Sequence, residues 1–93
     1  MFERILKRMR ERVRLREYVM TDHGEEEMDE DDLSIFDVES AVLTGEIFER
    51  QKEQPTAEWK YLINGQSTAG DSVVVVAKLS PTGKLVIITV YRP

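Results

Sequence analysis

The sequence predicts an α+β fold: a curved antiparallel sheet of four to five strands with helices packed on one face. Three observations carry this. Up to Gly45 the apolar residues fall mainly at helical spacing; after Gly45 they alternate or run together as β-branched stretches. No repeat, linker or low-complexity stretch divides the 93 residues, a length sufficient for one modest core. Residues 1–93 therefore read as one domain, with a basic amphipathic helix over 1–16 and an α+β core over 17–93.

The opening MFERILKRMRERVRLREY places Phe2, Ile5, Leu6, Met9 and Val13 at helical spacing between Arg and Lys, which predicts a helix ending near Val13. Leu15, Tyr18, Val19 and Met20 then suggest a strand. Thr21 or Asp22 offers an N-cap oxygen for a short polar helix, and with Asp22 as the cap Glu25 at N3 would close a capping box. LSIFDVESAVLTG is the best-specified element. Ser34 is the cap, Asp37 stands at N3, Leu33 and Val38 form a hydrophobic staple, and Gly45 is the expected C′ terminator. Ile35, Val38, Ala41 and Val42 make its buried stripe.

Beyond Gly45, EIFERQ is a short strand followed by the polar loop KEQPTA. EWKYLING sets Trp59, Tyr61 and Ile63 on one side, Lys60 and Leu62 on the other. SVVVVAKL predicts a central strand buried on both faces, and SPTGK turns it into KLVIITVY as an antiparallel hairpin.

Charge is distributed unevenly behind a net −5. Residues 1–16 hold seven bases and two acids, residues 17–32 nine acids and no base, and the rest is nearly neutral. Such a layout steers charged partners, or the two segments neutralise each other within the monomer or across a homodimer through the N-terminal helix. Arg10, Arg12, Arg14 and Arg16 stand two apart, so they spray around a helix rather than lining one face for a phosphate backbone. The chain has no cysteine, which excludes disulfides and thiolate metal sites and fits a cytoplasmic location. No apolar run reaches membrane-span length and no apolar region follows the basic start, so neither a membrane anchor nor a signal peptide is expected.

The segments TDHGEEEMDEDDLSIFDVESAVLTGEIFERQKE, EWKYLINGQS and VVVVAKLSPTGKLVIITVY together resemble the family catalogued as domain of unknown function 4258, over about residues 17–92. His23 opening a short helix, Gly45 before EIFER, and the final ITVY are the most telling matches. The resemblance implies a sheet similar to the RelE, BrnT and MqsR group of bacterial toxins, small cytoplasmic ribonucleases that cut messenger RNA and are silenced by an antitoxin-type protein. By rough alignment Arg50 and Lys60 fall where MqsR-like proteins place polar catalytic groups, while their catalytic Tyr has no counterpart in Val73–Val75. Many family members carry Arg four and eight residues after the His, where this chain has Glu27 and Asp31.

His23 is the only histidine, and seven carboxylates follow it between Glu25 and Asp32. A metal site normally recruits three or more well-spaced ligands, and this stretch is neither HExxH nor a calcium loop, so no metal or other cofactor is expected. Metal-independent RNA cleavage needs groups that move protons, a role suited to His23. It also needs cations around phosphate, for which Arg50, Lys60 and Lys78 stand on strands and Arg92 at a strand end, with Tyr61 and Tyr91 as aromatic neighbours. The candidate catalytic set is His23, Arg50, Lys60, Lys78 and Tyr91. The expected function is a toxin-like endoribonuclease acting on mRNA with an antitoxin-type partner, or a non-catalytic interaction module on the same scaffold.

Overall fold

Eight elements form in the expected order in a computed structural model describing residues 1–93. They are α1 (Glu3–Arg14), β1 (Tyr18–Met20), α2 (Asp22–Glu30), α3 (Ile35–Thr44), β2 (Glu46–Glu53), β3 (Glu58–Gln66), β4 (Ser72–Leu79) and β5 (Leu85–Tyr91). The fold is α+β, and its five strands lie in the order β1-β5-β4-β3-β2. Strands β2 to β5 are antiparallel, but β1 joins β5 in parallel, with Tyr18 opposite Leu85, so the sheet is mixed rather than wholly antiparallel. Hydrophobic pattern marks a strand but not its direction. Direction here is set by Leu85 N–H donating to Glu17 C=O and Thr21 N–H donating to Ile87 C=O.

The β-branched run of β4 takes the middle of the sheet, buried without interruption from Val73 to Ala77. Val73, Val75 and Ala77 share a face with Ile63, Leu85, Ile87 and Val90, and these meet Leu6, Met9 and Val13 of α1 and Val38, Ala41 and Val42 of α3. Leu62, Val74 and Val76 alternate with them and point to the other face. Burying Met9 completely contributes about 1.5–3 kcal/mol by area alone. Arg10 ties the two helices together. Its guanidinium donates to Val42 C=O at 3.3 Å and Gly45 C=O at 2.7 Å, placing a cation at the α3 C-terminus.

The start of α3 is the predicted capping box. Asp37 N–H donates to Ser34 Oγ and Ser34 N–H donates to Asp37 Oδ2. The second Asp37 oxygen accepts from the Thr68 amide (3.0 Å) and hydroxyl (2.7 Å). Together with the Ser34 amide these donors hold the Asp37 carboxyl down at about 2. At the other end Gly45 is extended (φ −89°, ψ 176°), not a left-handed terminator. It is glycine because of crowding: a Cβ there would stand 2.5 Å from Ala41 C=O, and one on Gly65 only 2.0 Å from the same oxygen.

In α2 the cap is Thr21, whose hydroxyl accepts from Gly24 N–H and donates to Ile88 C=O. The backbone anchor at Thr21 starts the helix one residue before the Asp22 alternative, so Gly24 takes N3 and no box with Glu25 forms. Helix α2 then runs along the β5 edge, close enough that a Gly24 Cβ would be 3.2 Å from Ile88 C=O.

Candidate functional site

The site is built where the first turns of α1 overhang the β2–β3 hairpin. Arg4 and Arg8 are one helical turn apart beside Ile5, so their side chains leave α1 together. Across from them, β2 pairs with β3 so that Arg50 lies opposite Tyr61 and Lys52 opposite Trp59. These four alternate with Ile63 and therefore share the helix-bearing face. The Arg50 guanidinium sits 4.1 Å from the Trp59 ring centroid, and Lys52 Nζ 5.3 Å from it. Phe2 meets Tyr61 edge to face at 5.9 Å.

Between these groups lies a cleft of ≈ 280 Å³ lined by Phe2, Arg4, Ile5, Arg8, Arg50 and Tyr61, with Met1 at its rim. A second hollow of ≈ 440 Å³ shares Ile5, Arg8 and Tyr61 and continues past Trp59 to Pro81. Arg4, Arg8, Arg50 and Lys52 make no ion pair or side-chain hydrogen bond within the chain. Trp59 remains 38% exposed. Four uncompensated cations around aromatic rings suit a ligand with several negative charges and flat, stackable groups.

Of the candidate catalytic set only Arg50 belongs to this cleft, joined there by Tyr61, one of the two expected aromatic neighbours. Lys60 pairs opposite Gln51 and projects from the other face, as do Lys78, opposite Val86, and Tyr91, opposite Val74. Lys78 is 16% exposed and held by Glu53 at 2.6 Å and Glu58 at 3.4 Å. The Glu53 hydrogen bond raises its pKa despite the opposing effect of burial, so it stays an ammonium ion balanced by two carboxylates. His23 stands 65% exposed on α2 and pairs with Glu27 on the next turn. Arg92 clamps the α2 C-terminus through Asp31 and reaches Asp71. The structure thus separates His23, Lys60, Lys78 and Tyr91 from Arg50. No three His, Asp or Glu side chains converge closely enough to hold a metal ion.

Sequence reasoning missed Arg4, Arg8, Lys52 and Trp59. The one-turn spacing of Arg4 and Arg8 was a usable signal, as was an Arg and a Lys two apart in a strand. Their meeting with Trp59 depends on strand register. Neutralisation of α1 by the acidic stretch within the monomer is confined to one pair, Arg12 with Glu17 at 2.7 Å; no ion pair joins α1 to α2.

Fold and cleft together define a small α+β protein with an open mixed sheet and a cationic, aromatic-lined groove under its first helix. Residues 20–92 match the model of a domain of unknown function, DUF4258, and the chain belongs to that family. Comparison with curated proteins and with solved structures returned no match. No helix is long and apolar enough to cross a membrane.

Proposed function

We propose that the chain is a toxin-like protein of a bacterial toxin–antitoxin pair that acts on single-stranded messenger RNA, with the α1/β2–β3 cleft as its RNA site. One observation carries this reading: Arg4, Arg8, Arg50 and Lys52 have no carboxylate partner and gather around Trp59 and Tyr61. Single strands are held by cations along the backbone and aromatic faces under the bases. Duplex RNA presents no unstacked base to Trp59. Cleavage here would be metal-independent, with Arg50 against the phosphate and the Tyr61 hydroxyl as its cross-strand neighbour.

Trp59 is the only tryptophan, so its fluorescence reports the site directly. A short single-stranded RNA should quench it at low salt, and the matching duplex should not. Trp59→Ala should weaken binding by about 1–3 kcal/mol per stacked base, read by anisotropy of labelled RNA. Arg8→Ala and Arg50→Ala should each lower the salt slope by about 0.7. Unchanged fluorescence with no binding at low salt would refute the reading.

A second reading is a non-catalytic module on the same scaffold that regulates a partner. It is favoured by the placement of His23 outside the cleft and by the balanced charge of Lys78. Expression without a partner separates the two. Growth arrest relieved by Arg50→Ala supports the ribonuclease; full growth with intact RNA binding supports the module.

A further inference from the structure

Helix α2 carries Asp22, Glu25, Glu26 and Asp29 at i, i+3, i+4 and i+7, a stripe of four carboxylates along one face. All four are exposed, and none accepts a side-chain hydrogen bond or ion pair. Like charges one turn apart destabilise the helix that bears them. The cleft has the opposite surplus, in Arg4, Arg8, Arg50 and Lys52, and Arg4 and Arg8 repel each other in the same way. The two surfaces cannot meet within one molecule. Helix α2 lies against β5, the cleft sits on β2–β3, and the strand order places β4 between them.

We infer that the acidic stripe of α2 in one copy docks in the cationic cleft of a second copy, so that the protein self-associates and covers its own ligand site. As regulation of that site this builds on the RNA reading; as self-association it stands on charge complementarity alone. The contact is heterologous. It either closes into a two-fold pair when both copies exchange α2, or runs on as a chain. The net charge of −5 opposes association at long range. In about 0.1 M salt the Debye length is about 10 Å, well below the 32 Å long axis, so distant repulsion is screened while contacting charges are not. Near 1 M it falls to about 3 Å and the contact itself should fail.

Sedimentation velocity on the full chain tests this. The wild type should sediment as a dimer or larger species in about 0.1 M NaCl and as a monomer in about 1 M. Glu26→Lys/Asp29→Lys and Arg4→Glu/Arg8→Glu should each be monomeric at both. An equimolar mixture of the two variants should associate again, because each then supplies the surface the other complements; this also shows that both have folded. Wild type that stays monomeric at every salt, or reversal variants that associate as the wild type does, overturns the inference. Single-stranded RNA should dissociate the assembly. RNA that binds while leaving it intact would overturn the covering of the site, and RNA that does not bind refutes the RNA reading while the salt and variant results still decide self-association.

Discussion

Gly65→Ala should be among the most damaging single-methyl changes in this chain. The new Cβ would lie 2.0 Å from Ala41 C=O and 2.7 and 2.8 Å from the Ala41 carbonyl carbon and Cα. All three are backbone atoms, so no rotamer change relieves the clash. Restoring an ordinary contact of 3.4 Å requires α3 to retreat by about 1.4 Å from β3. A gap of half to one ångström already forfeits a quarter to a half of a dispersion contact, and the retreat would loosen Val38, Ala41 and Val42 against Ile63, Val73 and Val75. Overpacking with that loss should cost about 3 kcal/mol, which lowers Tm by roughly 12–24 °C in a domain of this size. Gly70→Ala is the control. It meets nothing within 4 Å but has φ +90°, so it should cost only about 1–2 kcal/mol of backbone strain. Thermal and urea unfolding followed by circular dichroism measure both. If Gly65→Ala is no less stable than Gly70→Ala, α3 does not lie on β3 as closely as described.

Three further outcomes are expected. The depressed Asp37 carboxyl contributes stability that is complete above about pH 4 and is lost as pH falls toward 2; after solvent screening it amounts to about 1 kcal/mol. Thr68→Val should shrink that acid-side loss in urea midpoints measured across pH. Burial first, then the hydrogen bond to Glu39, pushes the Tyr18 hydroxyl up to about 12, and on the opposite face of the sheet the Glu53 hydrogen bond raises Lys78. Both contributions are whole below about pH 10 and disappear as pH rises beyond it, so Tyr18→Phe should flatten part of the alkaline loss of stability. Lys78→Ala should destabilise by about 1–2 kcal/mol, because Glu53 and Glu58 stand opposite each other across β2–β3 and lose their shared cation. Lys78→Ala with unchanged denaturation would show that the pair contributes nothing.

What could be read in advance was local. Ser34, Asp37 and the Val38–Ala41–Val42 stripe specify α3 through neighbours within two turns, and the β-branched run of β4 announces its own burial. Gly45 was correctly placed but for the wrong cause, since the crowding that demands it comes from Ala41 and Ile63 after packing. The parallel pairing of β1 was equally hidden, because three residues show a strand and not its partner. His23 drew attention by composition, yet its surroundings in the fold are solvent and Glu27.

The cleft turns on how a single residue is paired. Ile47 pairs with Ile63, but Glu49 pairs with Leu62, so Phe48 is an extra residue in β2, a bulge left 52% exposed. Without the bulge, with Phe48 paired opposite Leu62, Arg50 would face Lys60, and Lys52 would face Glu58, on the side that carries Lys78. That is the grouping the sequence suggests. With it, Arg50 and Lys52 cross to Tyr61 and Trp59 and meet Arg4 and Arg8 coming down from α1. A one-residue shift in register exchanges the faces of every later side chain in the strand, and nothing in EIFERQKE marks where it falls. Deleting Phe48 takes out the extra residue but leaves Glu49 opposite Leu62 and Arg50 opposite Tyr61, so Arg50 should stay on the Trp59 ring. Trp59 emission should therefore be unchanged in a protein that still folds, and a changed emission would show that this register does not place Arg50 on the ring.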